Sequence, residues 1–281
     1  MMTKARLMRE DASWLASRSE LRHTVRLTEG SVTLRVRFLW HSDVTRDETE
    51  RWTHPRTVVS RVFLPLGARI RVKVGKRWRV LDDGVFALLP EGTPFEAEYG
   101  PGRMINHSFV VADSLGLPVR LGQSPLPQLD DPELVHAVRN VFARNVPGEV
   151  DAVAHRVVLN FVHRAGSLSL RADEIVRRFP VLPAVLERTP PASWRVAAVA
   201  DAMGESAPAV AKRFKRAHRV TLKRFLRQVL MARAKDALLA SSLPASTVAG
   251  QLGFEDPAYF HRLFQTETGM TPNQWRRACD R

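Results

Sequence analysis

The sequence predicts an α+β chain of two domains: an N-terminal β-barrel with following helices, then a C-terminal all-α double helix-turn-helix. Three observations carry this. Short apolar runs at the strand period fill residues 31–111, separated by Gly and Pro. From about Ala172 onward every segment has helical spacing and none reads as a strand. Within that helical region a single string occurs twice, 49 residues apart. The 281 residues suit two domains. The expected boundaries are 1–127 for the β domain, 128–170 for a helical dimerisation or linker region, and 171–281 for the helical domain.

Ser31 to Trp40 alternates apolar and polar residues, as a half-buried strand does. Thr57 to Pro65, Ala68 to Val74, Trp78 to Leu81, Val85 to Leu89 and His107 to Val111 are further candidate strands. Gly67, Gly75, Asp83-Gly84, Gly92, Pro94 and Gly100-Pro101-Gly102 mark the turns between them. Many short strands at close spacing suit a sandwich or a barrel. Leu117 to Pro127 reads as a connector. Pro132 to Arg144 and Val150 to Arg164 read as helices, the second with Val150, Val153, Val157, Val158 and Phe161 on one side. These two could pair protomers or cap the barrel. Ala165 to Leu170 reads as a linker.

The repeat is Val199-Ala200-Asp201-Ala202-Met203-Gly204 and Val248-Ala249-Gly250-Gln251-Leu252-Gly253. Each glycine can take the left-handed turn that ends a helix. Asp256 is placed to cap the next helix, with Pro257 at its first position. Gly269 is placed to stop that helix, and Thr271 with Gln274 forms a capping box for another. In the second copy Phe260, Leu263 and Phe264 share an apolar face, while Ala258, His261, Arg262 and Gln265 share the opposite one. In the first copy Val210 and Phe214 point inward, and Ala207, Pro208, Ala211, Lys212 and Lys215 outward. Arg and Gln on such a face are the side chains that reach purine edges in a major groove. Alone, such a face is as often only a solvated bundle surface, but two matched copies with a basic run between them favour the reading helix. That run, Lys212 to Arg227, holds eight Lys or Arg and no acid, which suits phosphate contact.

Charge agrees. Lys and Arg number 43 against 29 Asp and Glu, for a net +14. Trp194 to Arg281 carries 15 basic and 7 acidic residues, so the excess is concentrated there. A field of this sign favours polyanions. Cys279 is the only cysteine, which leaves no disulfide framework or Cys-based zinc site within the chain and fits a reducing compartment. No signal-peptide pattern and no spanning apolar run is evident, so the expected location is cytoplasmic, with no membrane partner.

Gly253-Phe254-Glu255-Asp256-Pro257-Ala258-Tyr259-Phe260-His261-Arg262-Leu263-Phe264 and Gly269-Met270-Thr271-Pro272-Asn273-Gln274-Trp275-Arg276 resemble the AraC/XylS family of transcriptional regulators. The resemblance covers Trp194 to Arg277. It implies seven helices in two helix-turn-helix subdomains joined by a long helix at about Leu222 to Ala240, with recognition helices entering successive major grooves about 34 Å apart. By position it implies base-reading roles for Pro208, Ala211 and Lys212 in the first unit and for Pro257, Ala258, His261 and Arg262 in the second. Lys215, Arg216 and Gln265 complete the expected DNA-binding set. Three departures stand out: the first recognition helix has Ala and Pro where a reader would want polar groups, which leaves Lys212 as its main base contact; Arg213 occupies a usually apolar position; and Arg219 replaces the glycine that usually ends that helix. The first unit is therefore expected to bind phosphate more than it discriminates bases. The second carries specificity, mainly through Arg262 and His261.

The β domain, with His54-Pro55-Arg56 and Pro90-Glu91-Gly92-Thr93-Pro94, is similar to the cupin-like sensor domain of many members of this family. That implies a transcription regulator, expected as an activator, responsive to a small-molecule effector. Its partners would be double-stranded DNA, RNA polymerase and a second copy of the chain as a homodimer. Trp40, Trp52, His54, Arg56, Phe63 and His107 are the candidate ligand-binding residues, and aromatic faces with an Arg suit a sugar or a small carboxylate. No cofactor, metal or catalytic residue is expected. The nine histidines form no close-spaced metal pair, and no phosphate loop or nucleophile elbow occurs. The alternatives are a cupin metalloenzyme fused to a DNA-binding tail, and a regulator that needs no ligand.

Overall fold

A computed structural model describes residues 18–20, 24–29, 32–54, 57–119, 121, 126–144, 146–164 and 171–279. The strands are β1 (Arg18–Glu20), β2 (Thr24–Glu29), β3 (Val32–Arg46), β4 (Glu50–His54), β5 (Ser60–Leu66), β6 (Ile70–Val74), β7 (Arg77–Leu81), β8 (Phe86–Leu89), β9 (Phe95–Tyr99), β10 (Gly102–Ala112) and β11 (Gln128–Leu129). They form two sheets. The larger has the order β1-β3-β10-β5-β8-β11, with β2 also on β3, and the smaller has the order β4-β9-β6-β7. The expected barrel is thus built as two separate sheets, not one closed sheet.

The reason lies in the alternation of faces. Val44, Phe63, Ala87, Leu89 and Met104 from the large sheet join Ile70, Val72, Phe95, Ala97 and Tyr99 from the small one in a single apolar core. Such inner faces stack as a sandwich. The small sheet turns charged residues outward: Arg51 and Arg71 pair with Glu98, and Lys73 with Glu96. All six expected strands lie on observed ones. Sequence patterning missed β1, β2, β4, β9 and β11. β9 (FEAEY) is hydrogen-bonded to both β4 and β6. Its two glutamates, poor strand formers in isolation, are matched by those outward cations.

Helix α1 (Pro132–Arg144) has the expected bounds, and α2 (Pro147–Arg164) starts three residues before the expected Val150. α1 buries Leu134, Val135, Val138 and Phe142, and α2 buries the expected Val150, Val153, Val157, Val158 and Phe161. Phe142 packs edge-on against His41 and lies 6.0 Å from His107, and His155 of α2 lies 4.1 Å from Phe38. The expected linker at Ala165 to Leu170 falls outside the described residues.

The C-terminal helices are α3 (Arg171–Arg178), α4 (Leu182–Arg188), α5 (Val196–Met203), α6 (Ala207–His218), α7 (Leu222–Ala240), α8 (Ala245–Gln251), α9 (Pro257–Thr268) and α10 (Pro272–Cys279), with a 3-10 turn at Pro191–Ser193. Six α-helices follow Trp194; α4, just before it, makes the seventh. By internal contacts the described residues fall into two compact units, one within Met1–Thr24, Arg37–Val110 and Arg120–Ser167, the other within Val25–Val36, Val111–Val119 and Leu168–Arg281.

Candidate nucleic-acid interface

The two copies of the repeated string fold alike. α5 ends at Gly204, φ 64°, and the N–H of Glu205 returns to the carbonyl of Ala200 at 3.1 Å. α8 ends ahead of Gly253, φ 85°, and the N–H of Phe254 returns to the carbonyl of Ala249 at 3.0 Å. Both closures reach five residues back and satisfy a carbonyl that the helix end leaves open. Gly253 also has no room for a side chain: a Cβ there would sit 2.6 Å from Cβ of Pro190.

A capped helix follows each turn. Ser206 opens α6, its hydroxyl accepting from the N–H of Ala209 at 3.4 Å. Asp256 opens α9, accepting from the N–H of Ala258 at 2.8 Å, with Pro257 in the first turn as expected. α9 stops at Gly269, φ 78°, where the N–H donates to Gln265 O. α6 stops at Arg219, φ 59°, whose N–H donates to Lys215 O. Arg219 is the sole non-glycine residue with positive φ among the described residues.

The likeness of the two units runs further than the repeated string. Thr221 caps α7 by accepting from the N–H of Arg224, and Thr271 caps α10 by accepting from the N–H of Gln274, both at 3.2 Å. Gln274 completes the expected box by accepting the N–H of Thr271 at 2.9 Å. Phe214 packs on Phe225 in one unit, and Phe264 on Trp275 in the other. The offset has grown from 49 to 50 residues at these pairs, so a one-residue difference is absorbed between turn and helix.

α7 serves both units. Its 19 residues span about 28 Å at about 1.5 Å each. Its first turn supplies Phe225 to the first unit. Farther along, Arg227 pairs with Glu267 of α9, and Lys235 stacks over Trp275 of α10. Arg276 of α10 donates to Leu238 O and Leu243 O, closing the end of α7.

The expected reading residues all lie outside the core. Pro208, Lys212, Lys215 and Arg216 on α6 are exposed, and Ala211 is half-buried. Pro257, Ala258, Arg262 and Gln265 on α9 are exposed, and His261 is half-buried, while Phe260 and Phe264 are fully buried beneath them. Two features were not anticipated. Arg262, 68% exposed, reaches back to the second carboxylate oxygen of Asp256 at 3.4 Å, so one aspartate both caps the helix and pairs with the arginine expected to read bases. Arg213 turns inward: it pairs with Glu205 at 2.7 Å and lies over the Phe179 ring at 5.1 Å. It thus fastens the turn to the recognition helix where an apolar side chain would only fill space. Of the eight basic residues in the run, Arg213 and Arg227 are taken up by carboxylates. Lys212, Lys215, Arg216, Arg219, Lys223 and Arg224 are exposed and form no ion pair among the described residues.

The candidate ligand residues are split by the sheet. Trp40 and Phe63 lie on buried strands, and Phe63 joins the core. Trp52 is half-buried, edge-on to Tyr99 at 5.9 Å. His107 registers with Val62, whereas its neighbour Asn106 registers with Phe63. Its ring is therefore on the opposite face from Phe63, near His41 and Phe142, and the four described candidates do not converge. Burial pushes its imidazole down to about 3, with His41 adding to the shift. The side chain of His54, and Arg56 altogether, fall outside the described residues. Among the described residues no group of three or more His, Cys, Asp or Glu is placed to hold a metal ion. No helix there is long and apolar enough to cross a membrane.

Residues 199–278 match a family model described as a helix-turn-helix domain. The transcriptional activator RhaR of Salmonella typhi is 47% identical over 57 residues, which is 20% of each chain. The match thus spans about a fifth of that relative's length. Among solved structures, the C-terminal domain of the response regulator yesN from Fusobacterium nucleatum aligns with 36% of this chain and 97% of its own, at 25% identity and TM-score 0.33. ToxT from Vibrio cholerae O395 aligns over 88% of this chain and 98% of its own, at 12% identity and TM-score 0.45.

Proposed function

We propose that this chain, whose residues 199–278 match a helix-turn-helix domain model, is a sequence-specific, DNA-binding transcription regulator of the AraC type whose sheet domain senses a small molecule. One observation carries the reading. Two recognition helices, each closed by the same turn, capped, and seated on a buried aromatic layer, present exposed basic and polar side chains from a shared α7.

The roles divide as the chemistry does. Arg262, with Gln265 and His261 beside it, offers donors to base edges. Lys212, Lys215 and Arg216, continued by Arg219, Lys223 and Arg224, offer unpaired cations to phosphate. Pro208, Ala211, Pro257 and Ala258 are small enough to let each helix approach the groove floor. Burial between sheets makes Trp40, Trp52 and Phe63 candidate effector contacts. RhaR is described as an activator, which supports activation through RNA polymerase here as well. The regulator works in the cytoplasm, binds rather than transforms its effector, and acts as a homodimer.

Selection of genomic fragments by the full-length protein at about 0.15 M salt tests this, because phosphate contacts alone vary with salt and not with sequence. A discrete motif supports the regulator. Uniform, merely salt-sensitive capture contradicts it.

A further inference from the structure

The hairpin of β6 and β7, Ile70 to Leu81, holds five Lys or Arg and no acid. The double helix-turn-helix does not account for it. Two of the five are taken up within the sheet, where Arg71 pairs with Glu98 and Lys73 with Glu96. Lys76 at the turn, and Arg77 and Arg79 on β7, are exposed and form no ion pair among the described residues. The nearest acids in sequence, Asp82 and Asp83, lie just past the strand, and Asp83 accepts the N–H of Gly67.

β7 ends the strand order β4-β9-β6-β7, so one of its sides has no neighbouring strand among the described residues. Arg77 and Arg79 register with Val74 and Val72, while Trp78 registers with Lys73. The two arginines therefore share one face, two residues or about 6.7 Å apart along the strand. That step is close to the one between successive phosphates of a nucleic acid strand. On the other face, Arg71 and Arg51 lie 5.0 and 5.5 Å from the Trp78 ring centroid, and Lys73 Nζ lies 5.9 Å from it. Cations thus flank this edge on both faces. A second copy is a poor occupant, because two β7 edges side by side would set arginine against arginine. A polyanion has the complementary charge.

We propose that the β7 edge is a second DNA contact, which holds the phosphate backbone beside the stretch read by the recognition helices. The inference rests on reading the chain as a DNA-binding regulator. Arg77 and Arg79 each neutralise one phosphate of the flanking duplex, and Lys76 extends the row at the turn. Backbone N–H groups on the open side of the strand can donate to the same oxygens, as they do in other phosphate contacts. No side chain of this edge reads a base, so the contact adds affinity and salt dependence without sequence preference.

The test compares full-length protein with its Arg77→Gln/Arg79→Gln double variant. Both side chains are exposed and unpaired, so the variant keeps the wild-type Tm. Each protein is titrated across salt on two duplexes centred on the motif from genomic selection, one of about 20 bp, which spans two successive major grooves, and one of about 60 bp. Hydroxyl-radical footprints are taken on the longer one. On the long duplex the variant is expected to lower the slope of log K against log salt by about 2 and to lose protection of the flanking backbone while keeping it across the motif. On the short duplex it matches the wild type. Equal slopes and footprints on the long duplex would overturn the contact, point to an acidic protein segment as the occupant, and leave the regulator reading intact. Equal losses on both duplexes would also overturn it, because they reflect net charge alone. If selection yields no motif, the regulator reading and this contact fall together.

Discussion

At the scale of single residues, three side chains separate fold from reading. Asp256 does two jobs with its two oxygens, capping α9 and steadying Arg262. Asn caps as well as Asp, so Asp256→Asn keeps helix stability within about 0.5 kcal/mol while loosening discrimination at the base pair proposed for Arg262. Asp256→Ala lowers stability by about 1 kcal/mol as well. Denaturation and competition binding on the same variants separate the two roles. Arg219 holds a left-handed conformation that costs a non-glycine residue about 1–2 kcal/mol. Arg219→Gly therefore raises Tm, and it lowers the slope of log K against log salt by about 1 if that exposed cation touches phosphate. The residue scale was partly legible. Asp256, Gly269 and the Thr271–Gln274 box were read directly, because caps are local signals. The inward turn of Arg213 was not, because it depends on Glu205 in the preceding turn and on Phe179, which is distant in sequence.

At the scale of elements, the turn glycines and the buried histidines make separate claims. Gly253→Ala forces a Cβ toward Pro190 at a left-handed φ. A loss of at least about 1–2 kcal/mol is expected, measurable by urea titration, and an unchanged midpoint would contradict the packing. His107 is neutral in the fold because burial holds its imidazole near 3, against 6.5 unperturbed. Burial lowers His41 as well. The unfolded chain binds these protons below about 6.5 while the fold refuses them. Stability is therefore complete above that range and falls as pH drops from about 6.5 toward 3, by up to about 1.4 kcal/mol per pH unit for His107. Replacing His107 with Asn flattens that slope. Helices were legible because their caps and periodicity lie within the element. The strands β4 and β9 were not, because Glu50, Glu96 and Glu98 are tolerable in strands only once Trp52, Arg51, Arg71 and Lys73 stand beside them.

At the scale of the molecule, the charge excess and the repeat converge on one domain, the helical one. The double helix-turn-helix could be read from the sequence down to the bounds of α7, since it is a repeat of local signals. The division of the β domain into two sheets depends on strand pairing and register, which no local pattern specifies. The central claim is that two recognition helices divide the work, the first holding phosphate and the second reading bases. It is tested most directly by measuring Lys212→Ala and Arg262→Ala against every single-base variant of the selected site. Arg262→Ala is expected to lose about 1–3 kcal/mol at one base pair only, while Lys212→Ala weakens all sequences alike and lowers the salt slope by about 1. Uniform weakening by Arg262→Ala, with base-selective loss from Lys212→Ala, would contradict it.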